Sequence, residues 1–170
     1  MDGNKEFRFI SVNGPEALDC GAFEQEDLVK SVAQMGGQVM RTYTFSVKNS
    51  YDMETYIKGK GNYNETAFKR LDRLLAFCNK YGVRLIIPFI DPYPNNNGGR
   101  AALLEMCGEK AARDSQKDMV SFYSSKETKQ EFFNFVKYVL NRKNSITGVK
   151  YKDDPAILAW ESGNELSGSN

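Results

Sequence analysis

Residues 156–170 read AILAWESGNELSGSN, and the fold follows from how this stretch is read. The apolar run Ile157, Leu158, Ala159, Trp160 follows Asp153, Asp154 and Pro155 and breaks into Glu-Ser-Gly-Asn-Glu. It is too short for a helix and is bounded by turn residues, as a buried parallel strand is when its carboxyl end opens. Chemistry in α/β folds collects at the carboxyl ends of such strands. Glu165, with the amide of Asn164 beside it, stands where a working carboxylate belongs. The same residues also read as a strand ending in a polar loop with Glu165 solvated.

Upstream, three more strands alternate with three helices. Residues 7–12 (FRFISV) read as a first strand and 24–35 as a first helix, stopped by Gly36 and Gly37. Residues 38–45 (QVMRTYTF) read as a second strand, 46–61 as a loop, and 64–81 as the clearest helix. In that helix Ala67, Leu71, Leu74, Leu75 and Cys78 recur on one face, between an Asn64 cap and Gly82. Residues 83–90 (VRLIIPFI) are nearly all apolar, as in a strand covered on both faces, with Asp91 at its carboxyl end. Residues 95–124 form a long insertion, helical over 101–106, either a lid or an excursion. Ser124 and Glu127 offer a capping box for a third helix that runs to about Arg142. Right-handed crossovers then give a parallel sheet, either doubly wound or the first half of an eightfold barrel. The first turn, Asn13-Gly14-Pro15-Glu16, has neither GxGxxG nor GxxxxGK[ST], which weighs against a doubly wound nucleotide binder.

Composition narrows the chemistry. The 170 residues carry a formal net charge of +1, so no global field points to nucleic acid or an anionic membrane. There is no histidine, which removes Ser-His-Asp and Cys-His catalysis and the usual zinc sites. Acid-base work falls to carboxylates, Tyr, Lys or Cys. Cys20, Cys78 and Cys107 have no CxxC spacing, and neither a metal nor a cofactor is expected. No apolar run reaches membrane-spanning length, and the first residues, MDGNKE, show no signal-peptide core. Arg41 fits an edge strand harmlessly; in a central strand it requires a carboxylate or a ligand.

The stretches FRFISVN, SVAQMGGQVMRTYTFS, YNETAFKRLDRLLAFCNKYGVRLIIPFID and FYSSKETKQEFFNFVKYVLNRKNSITGVKYKDDPAILAWESGNE resemble glycoside hydrolase family 5, in particular its endo-β-1,4-mannanase-like members. The long lead-in before Asn-Glu is the most specific of them. The resemblance implies a TIM (β/α)₈ barrel with retaining chemistry, of which residues 1–170 form the amino-terminal half, with an insertion at about 92–124. It implies that Glu165 is the general acid/base, that Asn164 bonds a sugar 2-hydroxyl, and that Arg41 supports the nucleophile. It puts Tyr43 at a sugar subsite. The substrate implied is a β-linked polysaccharide such as β-1,4-mannan, and the setting extracellular. Leu166 stands where the family usually has proline, and Ser162 and Gly163 replace bulkier residues.

A retaining glycosidase needs two carboxyl groups roughly 5 to 5.5 Å apart. Four residues of extended strand separate Glu161 from Glu165 by roughly 13 Å, so those two are not the pair. Glu161 reads as a buried carboxylate bonded to a neighbouring strand. Asp91 either approaches Glu165 or is a plain loop carboxylate. The family's nucleophile lies on the seventh strand, so the isolated chain is expected to be inactive and to self-associate through open sheet edges. Tyr43, Tyr51, Tyr56 and Tyr93 are candidate stacking platforms for sugar rings. The competing expectation is a non-catalytic half barrel that binds carbohydrate or pairs with another chain.

Overall fold

The computed structural model describes residues 6–47 and 55–166; Tyr51 lies outside the described residues. In chain order the strands and helices are β1 (Ser11–Gly14), α1 (Ala22–Gln34), β2 (Val39–Thr42), β3 (Ile57–Gly59), β4 (Asn62–Tyr63), α2 (Glu65–Tyr81), β5 (Arg84–Pro88), α3 (Pro94–Asn97), α4 (Gly99–Met106), α5 (Ser115–Ser124), α6 (Lys126–Asn141) and β6 (Ile157–Glu161). Strands β1, β2, β5 and β6 pair in that order, all parallel. The order never reverses, so the sheet has no switch point of the doubly wound kind. Its strands are laid side by side in sequence, as successive βα units of a barrel are.

The sheet is shorter than its apolar runs. Residues 7–10 are not strand, because the ladder to β2 starts at Ser11 opposite Val39; Ile10 is left 84% exposed. Beyond Thr42 the chain leaves the sheet and Phe45 enters an aromatic cluster with Tyr56, Phe68, Phe89 and Phe135. The loop expected over 46–61 contains β3, which pairs antiparallel with β4. Pro88 is tolerated because it ends its strand. Met40, Leu85 and Ile87 belong to the core under the helices, whereas Arg41 and Ile86 stay half-buried on the other face.

Helix α2 is capped at both ends as its sequence predicts. Asn64 accepts from the Thr66 amide, and Gly82 adopts φ +73. Its Cys78 is fully buried. The cap of α6 is Ser125, whose side chain accepts from the Thr128 amide. Ser124, the expected cap, instead closes α5 and donates its hydroxyl back to the Val120 carbonyl. One residue of register decides between them, because only Ser125 has extended backbone at φ −66 and ψ 126.

The insertion is fixed, helical and pinned to two strand ends. The Val47 amide donates to Asn97 O, and Asn97 Nδ2 donates to Thr44 O and Oγ1. Gly98 and Gly99 have φ of +71 and +53. A Cβ would sit 2.5 Å from Val47 O at the first and 2.5 Å from Asp91 O at the second. Leu103, Leu104, Met119 and Phe122 are buried beneath it.

The lead-in to β6 is held by a charged network absent from the apolar pattern. Asp72 of α2 is fully buried and accepts from Arg142, Ser145 and Tyr151. Arg142 also reaches Glu65 at 2.9 Å. Asn144 donates to the Asp72 carbonyl, and Asp154 accepts from Asn79 and from the Ala156 amide. These contacts fix where β6 begins, and so where its carboxyl end emerges.

Candidate functional site

Strand β6 carries a bulge that aims its last residues. Leu85 pairs with Ile157 but Ile86 with Ala159, so one extra residue shifts the register. After it, Trp160 stacks on Phe89 with ring centroids 5.2 Å apart, on the helical side. Glu161 turns to the opposite face and meets Arg41 from two strands away. Arg41 Nε donates to Glu161 Oε2 at 3.0 Å and Nη2 to the same oxygen at 2.6 Å. The same Nη2 reaches Asn164 Oδ1 at 3.1 Å. Glu161 is thus paired across the sheet, but it is half-exposed where the sequence reading expected it buried. Arg41 lies in the interior of the sheet and finds the carboxylate that this position requires.

Past Glu161 the chain stays against β5. The Asn164 amide donates to Ile90 O at 2.8 Å. Gly163 is needed for that approach, since a Cβ there would stand 2.6 Å from the same carbonyl. Asn164 is buried, and Arg41 fixes its side-chain oxygen, leaving Nδ2 as the donor available to a ligand. Glu165 is exposed and has φ +43, a left-handed conformation that non-glycine residues adopt at a cost. That conformation is disfavoured before proline, and Leu166 follows here.

Glu165 lines a groove of about 360 Å³ with Asn13, Pro15, Arg41, Thr42, Tyr43, Tyr93 and Asn164. Five residues singled out from sequence, Arg41, Tyr43, Tyr93, Asn164 and Glu165, therefore share one opening at the strands' carboxyl ends. Asp91 does not line it. This residue is fully buried and accepts from the Tyr93 amide at 2.9 Å and from the Tyr43 hydroxyl. Burial pushes its carboxyl above the ordinary range; the Tyr93 and Tyr43 hydrogen bonds oppose this, the Glu165 charge adds to it, and Arg100 opposes it. Asp91 as a direct sugar ligand is thus replaced by Asp91 as a support beneath two tyrosines.

Tyr56 corrects a second expectation. Its ring is fully buried in the aromatic cluster, and its hydroxyl donates to Leu18 O at 2.9 Å. It is a core residue, not a stacking platform. Asn13 and Pro15, which the sequence reading used only as part of the turn after the first strand, belong to the groove. The signal for them was available, because the turn after a first parallel strand lies on the same rim as the turns after the others.

The comparisons with known proteins agree with this geometry. The family model described as "GH family 5 beta-mannosidase-like" matches residues 15–170, so the chain belongs to glycoside hydrolase family 5, β-mannosidase-like. Mannan endo-1,4-beta-mannosidase 5 of Solanum lycopersicum is 34% identical over 143 residues, 84% of this chain and 33% of that protein. Mannan endo-1,4-beta-mannosidase 1 of Oryza sativa subsp. japonica is 43% identical over 105 residues, 62% of this chain and 24% of that protein. Among solved structures, the endo-beta-1,4-mannanase from Thermotoga petrophila covers 96% of this chain and 36% of its own, with TM-score 0.79 and 25% identity. The endo-1,4-beta-mannanase from Rhizomucor miehei matches in fold with TM-score 0.82 and 24% identity, over 96% of this chain and 45% of its own. This chain thus spans a third or less of the length of these curated relatives, and its four-stranded sheet is part of a TIM barrel.

Proposed function

We propose that this chain supplies the acid/base wall of a retaining glycoside hydrolase that cleaves β-1,4-mannan or a related β-glycan. The observation that carries the reading is the groove. An exposed Glu165 stands beside an Asn164 whose oxygen is locked by Arg41, with Tyr43 and Tyr93 at the same opening. A protonated Glu165 gives its proton to the glycosidic oxygen while a second carboxylate attacks the anomeric carbon. Glu165 then takes a proton from the water that releases the sugar. Asn164 Nδ2 donates to a sugar hydroxyl during both steps.

The second carboxylate is neither Glu161, committed to Arg41 in three hydrogen bonds, nor the buried Asp91. Glu165 is the only carboxylate among the described residues that line the groove, so we assign the second to a group outside this groove wall, and the chain alone is expected to bind without turnover. The outer edges of β1 and β6 have no partner strand among the described residues, which favours self-association. A polymeric β-glycan substrate also favours an extracellular setting.

The test is titration calorimetry of mannooligosaccharides against the chain, together with mannan hydrolysis by a full barrel made by joining this chain to the remaining strands of a family 5 mannanase. Binding that is lost in Tyr43→Ala, and hydrolysis abolished by Glu165→Gln, are expected. Hydrolysis that survives Glu165→Gln unchanged overturns the assignment.

A further inference from the structure

The hydroxyl of Tyr93 donates to Glu165 Oε2 at 3.0 Å, bridging the turn after β5 and the turn after β6. Tyr93 is itself held from behind. Its amide is bound to Asp91 Oδ1, and the Asp91 carbonyl accepts from the Arg100 amide at 3.0 Å. Gly99 presses on the same turn, since a Cβ there would lie 2.5 Å from Asp91 O and 2.8 Å from Tyr93 O. Asp91, with no exposed surface, also receives the Tyr43 hydroxyl. The phenol donor therefore sits on a backbone that is fixed at several points, although its ring is 42% exposed.

We propose that Tyr93 is a positioning residue for Glu165, with Asp91 the buried anchor that holds Tyr93 in place. The inference rests on the acid/base role proposed above for Glu165. A phenol O–H bound to Oε2 leaves Oε1 as the oxygen that carries the transferable proton. In the first step that proton moves from Oε1 to the glycosidic oxygen as the carbon–oxygen bond breaks and the attacking carboxylate bonds the anomeric carbon. Glu165 becomes anionic, and the Tyr93 hydrogen bond strengthens because its acceptor is now charged. In the second step the attacking water returns a proton to Oε1. Tyr93 keeps its own proton throughout. A stacking platform needs only the ring, whereas this role needs the hydroxyl, and Tyr93→Phe separates the two.

Two measurements decide it. In the chain itself, the tyrosine absorbance titration of Tyr93→Phe subtracted from wild type isolates the Tyr93 phenol. It is expected above the ordinary value of about 10, because Glu165 first and then Asp91 hold its proton, against Arg100. Glu165→Gln should bring that component back down. A Tyr93 component at the ordinary value, or one unmoved by Glu165→Gln, overturns the proposal.

In the full barrel completed with the remaining strands of a family 5 mannanase, Tyr93→Phe should lower kcat on mannooligosaccharides by about 10- to 100-fold with KM little changed, the worth of a hydrogen bond to a charged group. On a dinitrophenyl β-mannobioside, whose leaving group needs no proton, kcat/KM should hold. Asp91→Asn should show the same split more weakly. Equal loss on both substrates, or none on either, overturns the proposal. Mannooligosaccharide hydrolysis that survives Glu165→Gln unchanged overturns the role of Glu165 and this inference with it, whereas failure of the Tyr93→Phe arms alone overturns only the inference.

Discussion

Replacing Asp72 with alanine removes the acceptor at the centre of a buried cluster of five hydrogen bonds. The Asp72 side chain is fully buried and Arg142 is 7% exposed, so solvent cannot replace either partner. Asp72 accepts from Arg142 at 2.5 and 3.1 Å, from the Ser145 hydroxyl at 2.6 Å and amide at 3.1 Å, and from the Tyr151 hydroxyl at 2.6 Å. Breaking a buried pair by removing one member costs about 3–5 kcal/mol, because the surviving charge stays buried. Against a total stability of about 5–15 kcal/mol, that is a fifth or more.

The assay is urea unfolding of the chain followed by circular dichroism, for wild type, Asp72→Ala and Asp72→Ala/Arg142→Met. The double variant should regain over half of the loss, since it removes the stranded guanidinium. The pH dependence gives a second reading. Burial pushes the Asp72 carboxyl up, but hydrogen bonds from Arg142, Ser145 and Tyr151 more than reverse this and hold it below the ordinary range. A depressed carboxyl stabilises the fold fully above its unfolded value of about 3.9 and loses that contribution as pH falls through the folded value. The gap between wild type and Asp72→Ala should therefore be constant near neutrality and narrow in acid below about pH 4. A loss under about 1 kcal/mol, the worth of an exposed pair, would refute the reasoning.

Other outcomes are open to direct measurement. Gly99→Ala should destabilise by about 1–3 kcal/mol, from its positive φ and its clash with Asp91 O, as read by thermal unfolding. Ser125→Ala should cost about 1 kcal/mol by loss of the α6 cap, whereas Ser124→Ala should cost much less. Glu165→Gln in a full barrel completed with the remaining strands of a family 5 mannanase should lower kcat on mannan by about 10²–10⁴-fold, seen in reducing-sugar release. Size-exclusion chromatography of the chain at increasing concentration should show association; a monomer at every concentration would count against open edges at β1 and β6.

Much of the architecture was legible because it rests on periodic apolar residues and backbone chemistry. The α2 stripe, its Asn64 cap and its Gly82 stop all appear where spacing puts them. The strands of the parallel sheet were readable as apolar runs, but their ends were not. Strand length depends on the partner, and Phe7 to Ile10 have none opposite them in β2. Tyr56 looked like a loop tyrosine until β3 and β4 folded it into the core, which is a tertiary effect no local window contains. Five of the eight groove residues were found at or near strand ends, and Asn13, Pro15 and Thr42 were not. Asp72, Arg142 and Tyr151 were passed over as helix and linker residues, because partners about 70 or more positions apart leave no local trace. Asp91 was located correctly in the chain but given the wrong depth, since burial is set by α4 lying over it.

The paired glycines at 98 and 99 have a practical corollary for altering this protein. They ride directly on the carbonyls of Val47, Asp91 and Tyr93, so any side chain there jolts the groove floor at once. Residues 107–114 join α4 to α5, and their hydrogen bonds run to α4, α5 and the start of α6. Length and composition can therefore be engineered at 107–114 with less disturbance to the turn that carries Asp91 and Tyr93 than any change at the two glycines would cause.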